Sequence, residues 1–221
     1  MSDAISMRRK KTTKLLDEKN IKHIDWLPHI ETDTKVKSID EVIERFISTF
    51  VVIQVACDIR NGNDVEGARN FFQGFLDRYG LSTNNLSNDE KKVWDGVADE
   101  QTVNNVGWRY EAVYVLFWAL GFVDELPFPN GICDVSQMID VIKKYTTYDE
   151  IKDNARYRSK EELLDMADYI FCLRWASVDA YINQQEQPVG MSYSVLLERH
   201  RGINWLISDS ENDFDTVSLD T

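Results

Sequence analysis

The chain has 221 residues, with 43% hydrophobic and 11% aromatic side chains, enough apolar material for one sizeable core and too much for a disordered polypeptide. Twenty-five Lys and Arg stand against 38 Asp and Glu, a net charge of −13 at pH 7, which excludes the dense basic surface of a general nucleic-acid binder. Only four prolines and ten glycines occur, so long regular elements are expected.

Taken in chain order, a weak N-terminal helix is expected over about 5–18. It opens with Arg8-Arg9-Lys10-Lys11, read as a frayed, solvated first turn. Residues 21–37, with Trp26 and Pro28, read as irregular or extended. A short hairpin there is compatible with the pattern. Ser38-x-x-Glu41, Ser87-x-x-Glu90 and Ser159-x-x-Glu162 fit the capping box, in which a hydroxyl and a glutamate satisfy helix-start N–H groups reciprocally. Asp134 to Gln137 is a weaker version. With breaks at Gly62, Gly80, Gly121, Pro127, Pro129, Pro188 and Gly190, these starts predict helices over about 39–60, 64–79, 88–102, 105–121, 135–146, 160–183 and 191–207. No repeat or linker divides the chain. The expectation is a predominantly all-α fold, one domain over 1–221 of seven or eight helices. Residues 1–37 are its less regular start, and 208–221, with five acids, its loosely docked tail.

The longest uncharged runs, 46–57 and 112–123, fall well short of the ~20 residues that span a bilayer, so no membrane segment is expected. No apolar run follows the basic quartet as a secretory leader would require. Three widely spaced cysteines without C-x-x-C point to free thiols in a reducing cytoplasm.

The most informative feature is charge embedded in apolar helix faces. Within the segment 108–121, apolar all round, Arg109 and Glu111 point to different sides and cannot satisfy each other. Arg174 lies among Leu163, Ala167, Ile170 and Tyr181, with Asp165, Asp168, Cys172 and Asp179 on the opposite, solvated face. Arg199 lies within the stripe of Val195, Leu196, Ile203 and Leu206, and Glu198 is within i,i+3 reach of Arg201. The favoured reading is a structural lattice in which Arg109, Arg174 and Arg199 pair with Glu111, Asp179 and Glu198. The rival is a pocket where the three guanidinium groups converge on a phosphate or carboxylate, with Glu111, Glu198 or His200 as acid–base groups. His200 otherwise reads as a core-edge histidine donating one hydrogen bond. Trp26, Trp94, Trp175 and Trp205 read as core or core-edge aromatics. No Glu-x-x-His pair, Gly-rich phosphate loop or G-x-S-x-G elbow occurs, so neither a metal nor a cofactor is expected.

Ser38-x-x-Glu41-x-x-x-Arg45, Leu86-Ser87-x-x-Glu90, Trp108-Arg109-x-Glu111-Ala112 running into Leu116-x-Trp118-Ala119-Leu120-Gly121, Arg158-Ser159-x-x-Glu162, Asp168 with Arg174-Trp175, Glu198-Arg199-His200 with Asn204-Trp205-Leu206, and the ending Asp213-Phe214-Asp215 together form one signature. On these residues the chain resembles, almost end to end, an uncharacterised bacterial domain family of unknown function, DUF4272-like, with Phe214 where Trp is expected. The resemblance implies a single domain and no particular activity. The function expected is a cytoplasmic, acidic protein-interaction module binding a basic partner protein, since strong negative charge steers such a partner. The alternative is a ligand-binding protein or enzyme using the arginine pocket. No nucleic acid and no membrane are expected as partners.

Overall fold

A computed structural model describes residues 3–209 and 214–221. Among these the chain is all-helical and single-bodied, with no strand. The helices are α1 (Asp3–Glu18), α2 (Ile39–Asn61), α3 (Val65–Arg78), α4 (Asn88–Asp95), α5 (Glu100–Trp108), α6 (Tyr110–Ala119), α7 (Val135–Lys144), α8 (Tyr148–Asn154), α9 (Lys160–Ile182) and α10 (Tyr193–Leu206). The hairpin compatible with 21–37 does not form. That segment is irregular and is fixed by burial of Ile21 and Leu27.

All three expected capping boxes are complete. At Ser38, Ser87 and Ser159 the hydroxyl accepts from the N3 amide, and the N3 glutamate accepts from the cap amide. A fourth box, Thr147 with Glu150, starts the short α8, which the expected elements omit. The expected helix over 105–121 is divided: Arg109 leaves the α5 path at φ −61°, ψ −6° and α6 begins at the next residue. The expected helix over 88–102 likewise ends at Gly96, in the left-handed region at φ +72°.

Every residue from Glu111 to Ala119 is buried, so α6 is the axis of the core. It packs on α10, α2 and α7, while α2 also carries α3, α4, α5 and α8. Gly202 allows α10 to approach the α6 backbone. A Cβ there would lie 2.6 Å from the Ala112 carbonyl oxygen and 3.1 Å from its Cα, which are backbone atoms of α6 that cannot rotate aside. The carbonyls at the end of α6 are capped from a distance. Arg156 and Arg158 donate their amides to Leu120 and Ala119 at 2.8 and 3.0 Å, and Arg158 Nε donates to Trp118 O at 3.0 Å.

Packing overturns expectations for the basic quartet, Asp168 and Trp26. The basic quartet is not a frayed turn: Arg8 and Arg9 are buried, because α1 docks on α9. Asp168 is buried rather than on a solvated face. It accepts from Arg9 Nη2 at 2.7 Å, while Arg8 Nε bonds half-buried Asp165 at 3.2 Å. Arg9 also reaches the carbonyls of Leu27 and Pro28, at 3.2 and 2.8 Å, so one guanidinium fixes the irregular segment as well. Trp94 and Trp205 are core residues and Trp175 is half-buried, but Trp26 is exposed. In the C-terminal stretch, whose residues 210–213 lie outside the described ones, Phe214 and Val217 are buried while Thr216, Ser218 and Asp220 are exposed. Phe214 is fully buried, edge-on to Trp205 with ring centroids 5.7 Å apart.

Gly202→Ala tests the α6–α10 approach. Helix propensity alone favours Ala by about 1 kcal/mol, whereas overpacking against backbone costs typically ~1–3 kcal/mol. The expected outcome is net destabilisation in urea unfolding, and a stabilised variant would show that the helices can move apart freely.

Candidate functional site

The embedded arginines have different partners, and Arg199 lines a cavity whose lining includes neither Arg109 nor Arg174. Each has a different environment, and the differences show where a ligand could be held.

Arg109 belongs to a closed ionic hub centred on Glu90, which is 0% exposed. Glu90 Oε1 accepts from the Thr49 hydroxyl at 2.7 Å and from Arg109 Nη1 at 3.3 Å. Oε2 accepts from Arg45 Nη1 at 2.9 Å and from the Ser87 amide at 2.8 Å. Asp215 closes the other side. One oxygen accepts from Arg109 Nη2 and the Ser87 hydroxyl, the other from the Asp89 amide at 2.8 Å. Burial works against charge on both Arg109 and Asp215. For Arg109, the fields of Glu90 and Asp215 outweigh it and hold the guanidinium above its ordinary pKa. For Asp215, the Arg109 charge and the Asp89 and Ser87 donors outweigh it and hold the carboxyl below the usual range. Phe214 lies under both Arg45 and Arg109, at 5.4 and 5.7 Å from its centroid. Arg109 therefore pairs with Glu90 and Asp215, not with Glu111.

Arg199, 2% exposed, is the partner of Glu111: its Nε lies 3.0 Å from Glu111 Oε2. Glu111 Oε1 accepts from the Cys133 amide at 2.6 Å, which joins α6 to the start of the α7 cap. Arg199 Nη1 donates to the Pro127 carbonyl, and Nη2 is buried with no hydrogen-bond partner. The expected pairing of Arg199 with Glu198 does not occur. Glu198 instead takes Arg201 Nε at 3.1 Å, the i,i+3 neighbour.

Arg174, 5% exposed, has no carboxylate partner among the described residues. Asp179, expected to pair with it, bonds Lys22 at 2.8 Å. The Arg174 guanidinium stacks 4.2 Å from the centroid of Tyr193 and donates Nη2 to a tyrosine hydroxyl, that of the same Tyr193, at 2.9 Å. Its Nε and Nη1 are buried without partners. His200, 0% exposed, accepts from Asn204 Nδ2 at 2.9 Å through Nε2 rather than donating, and its buried Nδ1 is unpartnered. Burial, with the charges of Arg174 and Arg201, pulls its pKa down to about 4, so it is neutral at pH 7. Among the described residues no cluster of His, Cys, Asp and Glu is spaced to hold a metal ion, and no helix is long and apolar enough to cross a membrane.

Glu90, Arg45 and Asp215 were absent from the sequence-derived site. Glu90 was legible only as a capping glutamate. The fact that its carboxylate also anchors two arginines depends on α2 and α5 crossing above it. Arg45, Glu90 and Asp215 all occur in the signature on which the family resemblance rests.

The paired and unpaired arginines respond oppositely to removal of charge. Glu90→Gln takes from Arg45 its carboxylate and from Arg109 one of two, in a fully buried site, and should cost about 3–5 kcal/mol. Arg174→Met strands no acid and replaces unmet donors by a hydrocarbon stem of similar length, so stability should change by less than ~1 kcal/mol or rise. Chemical denaturation of both variants checks the pair, and a large loss in Arg174→Met would mean that its unmet donors are satisfied. His200 gives a second test. Its folded pKa of about 4 lies below the ordinary 6.5, so unfolding takes up a proton between those values. Stability is intact above pH 6.5 and falls as pH drops towards 4, by up to ~1.4 kcal/mol per unit. His200→Gln should flatten that slope, and Arg174→Met should raise the His200 pKa in an NMR titration.

Comparison with curated proteins and with solved structures gives no match. The family described as Domain of unknown function (DUF4272) matches residues 8–217, from the first docked arginine of α1 to beyond the Asp215 that closes the hub. The chain belongs to that family.

Proposed function

We propose that the protein is a cytoplasmic interaction module that receives a basic segment of a partner protein in a groove beside the end of α6. The observation that carries this reading is the groove's lining. Exposed Asp124, Glu125 and Asp134 border a space of about 610 Å³ that also presents Phe122, Val123 and Ile132, the last 76% exposed. Carboxylates beside apolar surface suit Lys or Arg side chains, whose stems pack while their charged ends pair. The groove is held open by its own bonds. Arg158 Nη2 donates to the carbonyls of Val123 and Asp124 at 2.9 and 2.7 Å, and the Tyr114 hydroxyl donates to Gln137 Oε1 at 2.7 Å. A groove fixed before binding spends less ordering entropy on a partner. The net charge of −13 steers a cationic partner towards it. Three free cysteines, two of them buried, suit a reducing compartment.

A fluorescent peptide alternating Lys or Arg with Leu is the probe. Affinity should fall with added salt as screening shortens to about 8 Å near physiological ionic strength. It should fall at least tenfold in the triple variant Asp124→Asn, Glu125→Gln, Asp134→Asn, whose exposed positions leave the fold intact. Salt-insensitive binding, or full affinity in the triple variant, would remove the groove as the docking site.

A further inference from the structure

Arg199 has donors that its protein partners leave unmet. A guanidinium carries five N–H donors. Glu111 takes Nε and the Pro127 carbonyl takes Nη1, but Nη2 is buried without a partner. A buried donor left unmade costs about 1–3 kcal/mol, so such a group usually has a use. Arg199 lines a cavity of about 190 Å³ between the 126–129 loop, α9 and α10. The cavity's body is apolar, formed by Phe128, Met166, Ile170, Leu173 and Leu196. The cationic Lys19, exposed just beyond α1, lines the same space with its ammonium 4.9 Å from the Phe128 centroid.

The ligand's chemistry follows from these features. An apolar cavity of about 150 Å³ holds a benzene ring, so this one fits a ring-sized or short branched body. Arg199 in the lining, with a guanidinium nitrogen that has no protein partner, selects an oxyanion. Glu111 already neutralises the Arg199 charge, so a ligand carrying two negative charges would face repulsion. One negative charge is balanced by Lys19. Apolar walls leave a phosphate's remaining oxygens unsatisfied, whereas a carboxylate has only two to place.

We infer that this cavity binds a small monocarboxylate with a ring-sized apolar body, its carboxylate on the Arg199 guanidinium and its body among Ile170, Leu173 and Leu196. The site is separate from the acidic groove, although Pro127 borders both.

Benzoate is the probe, with benzamide as its neutral isostere and inorganic phosphate as an anion without an apolar body. Thermal unfolding and calorimetric titration of the full chain at matched ionic strength should show saturable stabilisation by benzoate and none by benzamide or phosphate. Met166→Trp, at a half-buried wall position, should fill the cavity and abolish the benzoate response. Lys19→Gln, at an exposed position, should weaken benzoate binding about tenfold. Arg199→Met combined with Glu111→Gln removes both charges together, so no ion is stranded, and should also abolish binding. No response of the wild-type chain to benzoate would overturn the inference. So would an equal response to benzamide, or a benzoate response that survives Met166→Trp. The benzoate–benzamide comparison needs no variant, so it stays decisive if a substitution impairs folding.

Discussion

Glu90 is the point at which the C-terminal stretch and the interior of the chain are tied together. A carboxylate without solvent must receive hydrogen bonds from every side or it is neutralised or expelled. Here its donors come from α2 through Arg45 and Thr49, from the α4 cap through Ser87, and from the α5–α6 break through Arg109. Asp215 then satisfies Arg109 from the C-terminal stretch, which brings Phe214 beneath both guanidinium groups. An apolar replacement of similar shape could be as stable as such an ionic cluster. The charged version, however, tolerates only the arrangement in which all four partners arrive together. The hub joins the α5–α6 corner to the seat of Phe214.

The same economy explains α1. Its apolar face is short, with Ile5 and Leu16 the buried hydrophobics, and by itself would hold the helix weakly. Arg9 compensates by bonding Asp168 on α9 and two carbonyls of the irregular segment, so one side chain orders three pieces of chain. Burial works against its charge, yet the Asp168 hydrogen bond and nearby negative groups keep it raised above its ordinary pKa.

Against these satisfied ions, Arg174 and Arg199 stand apart. Both are buried, both keep guanidinium nitrogens without partners, and Arg199 lines a cavity with an apolar body and a second cation. Arg174 is covered by the Tyr193 ring and acts on its surroundings through its field, helping to keep His200 neutral. Two residues of the same type, each set in an amphipathic helix face, therefore have different roles according to what packs over them.

The amino-acid sequence by itself determined where most helices begin. The reason is local: a Ser hydroxyl and a Glu carboxylate three residues on satisfy the free amides of a helix start without help from distant residues. It also determined that the fold is helical and that Arg109, Glu111, Arg174 and Arg199 are buried, because helical spacing places them among apolar neighbours. Only the tertiary structure decided the partners. Arg109 meets Glu90 and Asp215, Arg199 meets Glu111, and Asp179 turns to Lys22, because each pairing depends on how helices far apart in the chain cross. The same holds for Arg8, Arg9 and Asp168. They read as solvated charges on separate helices until the packing of α1 on α9 removes water from all three.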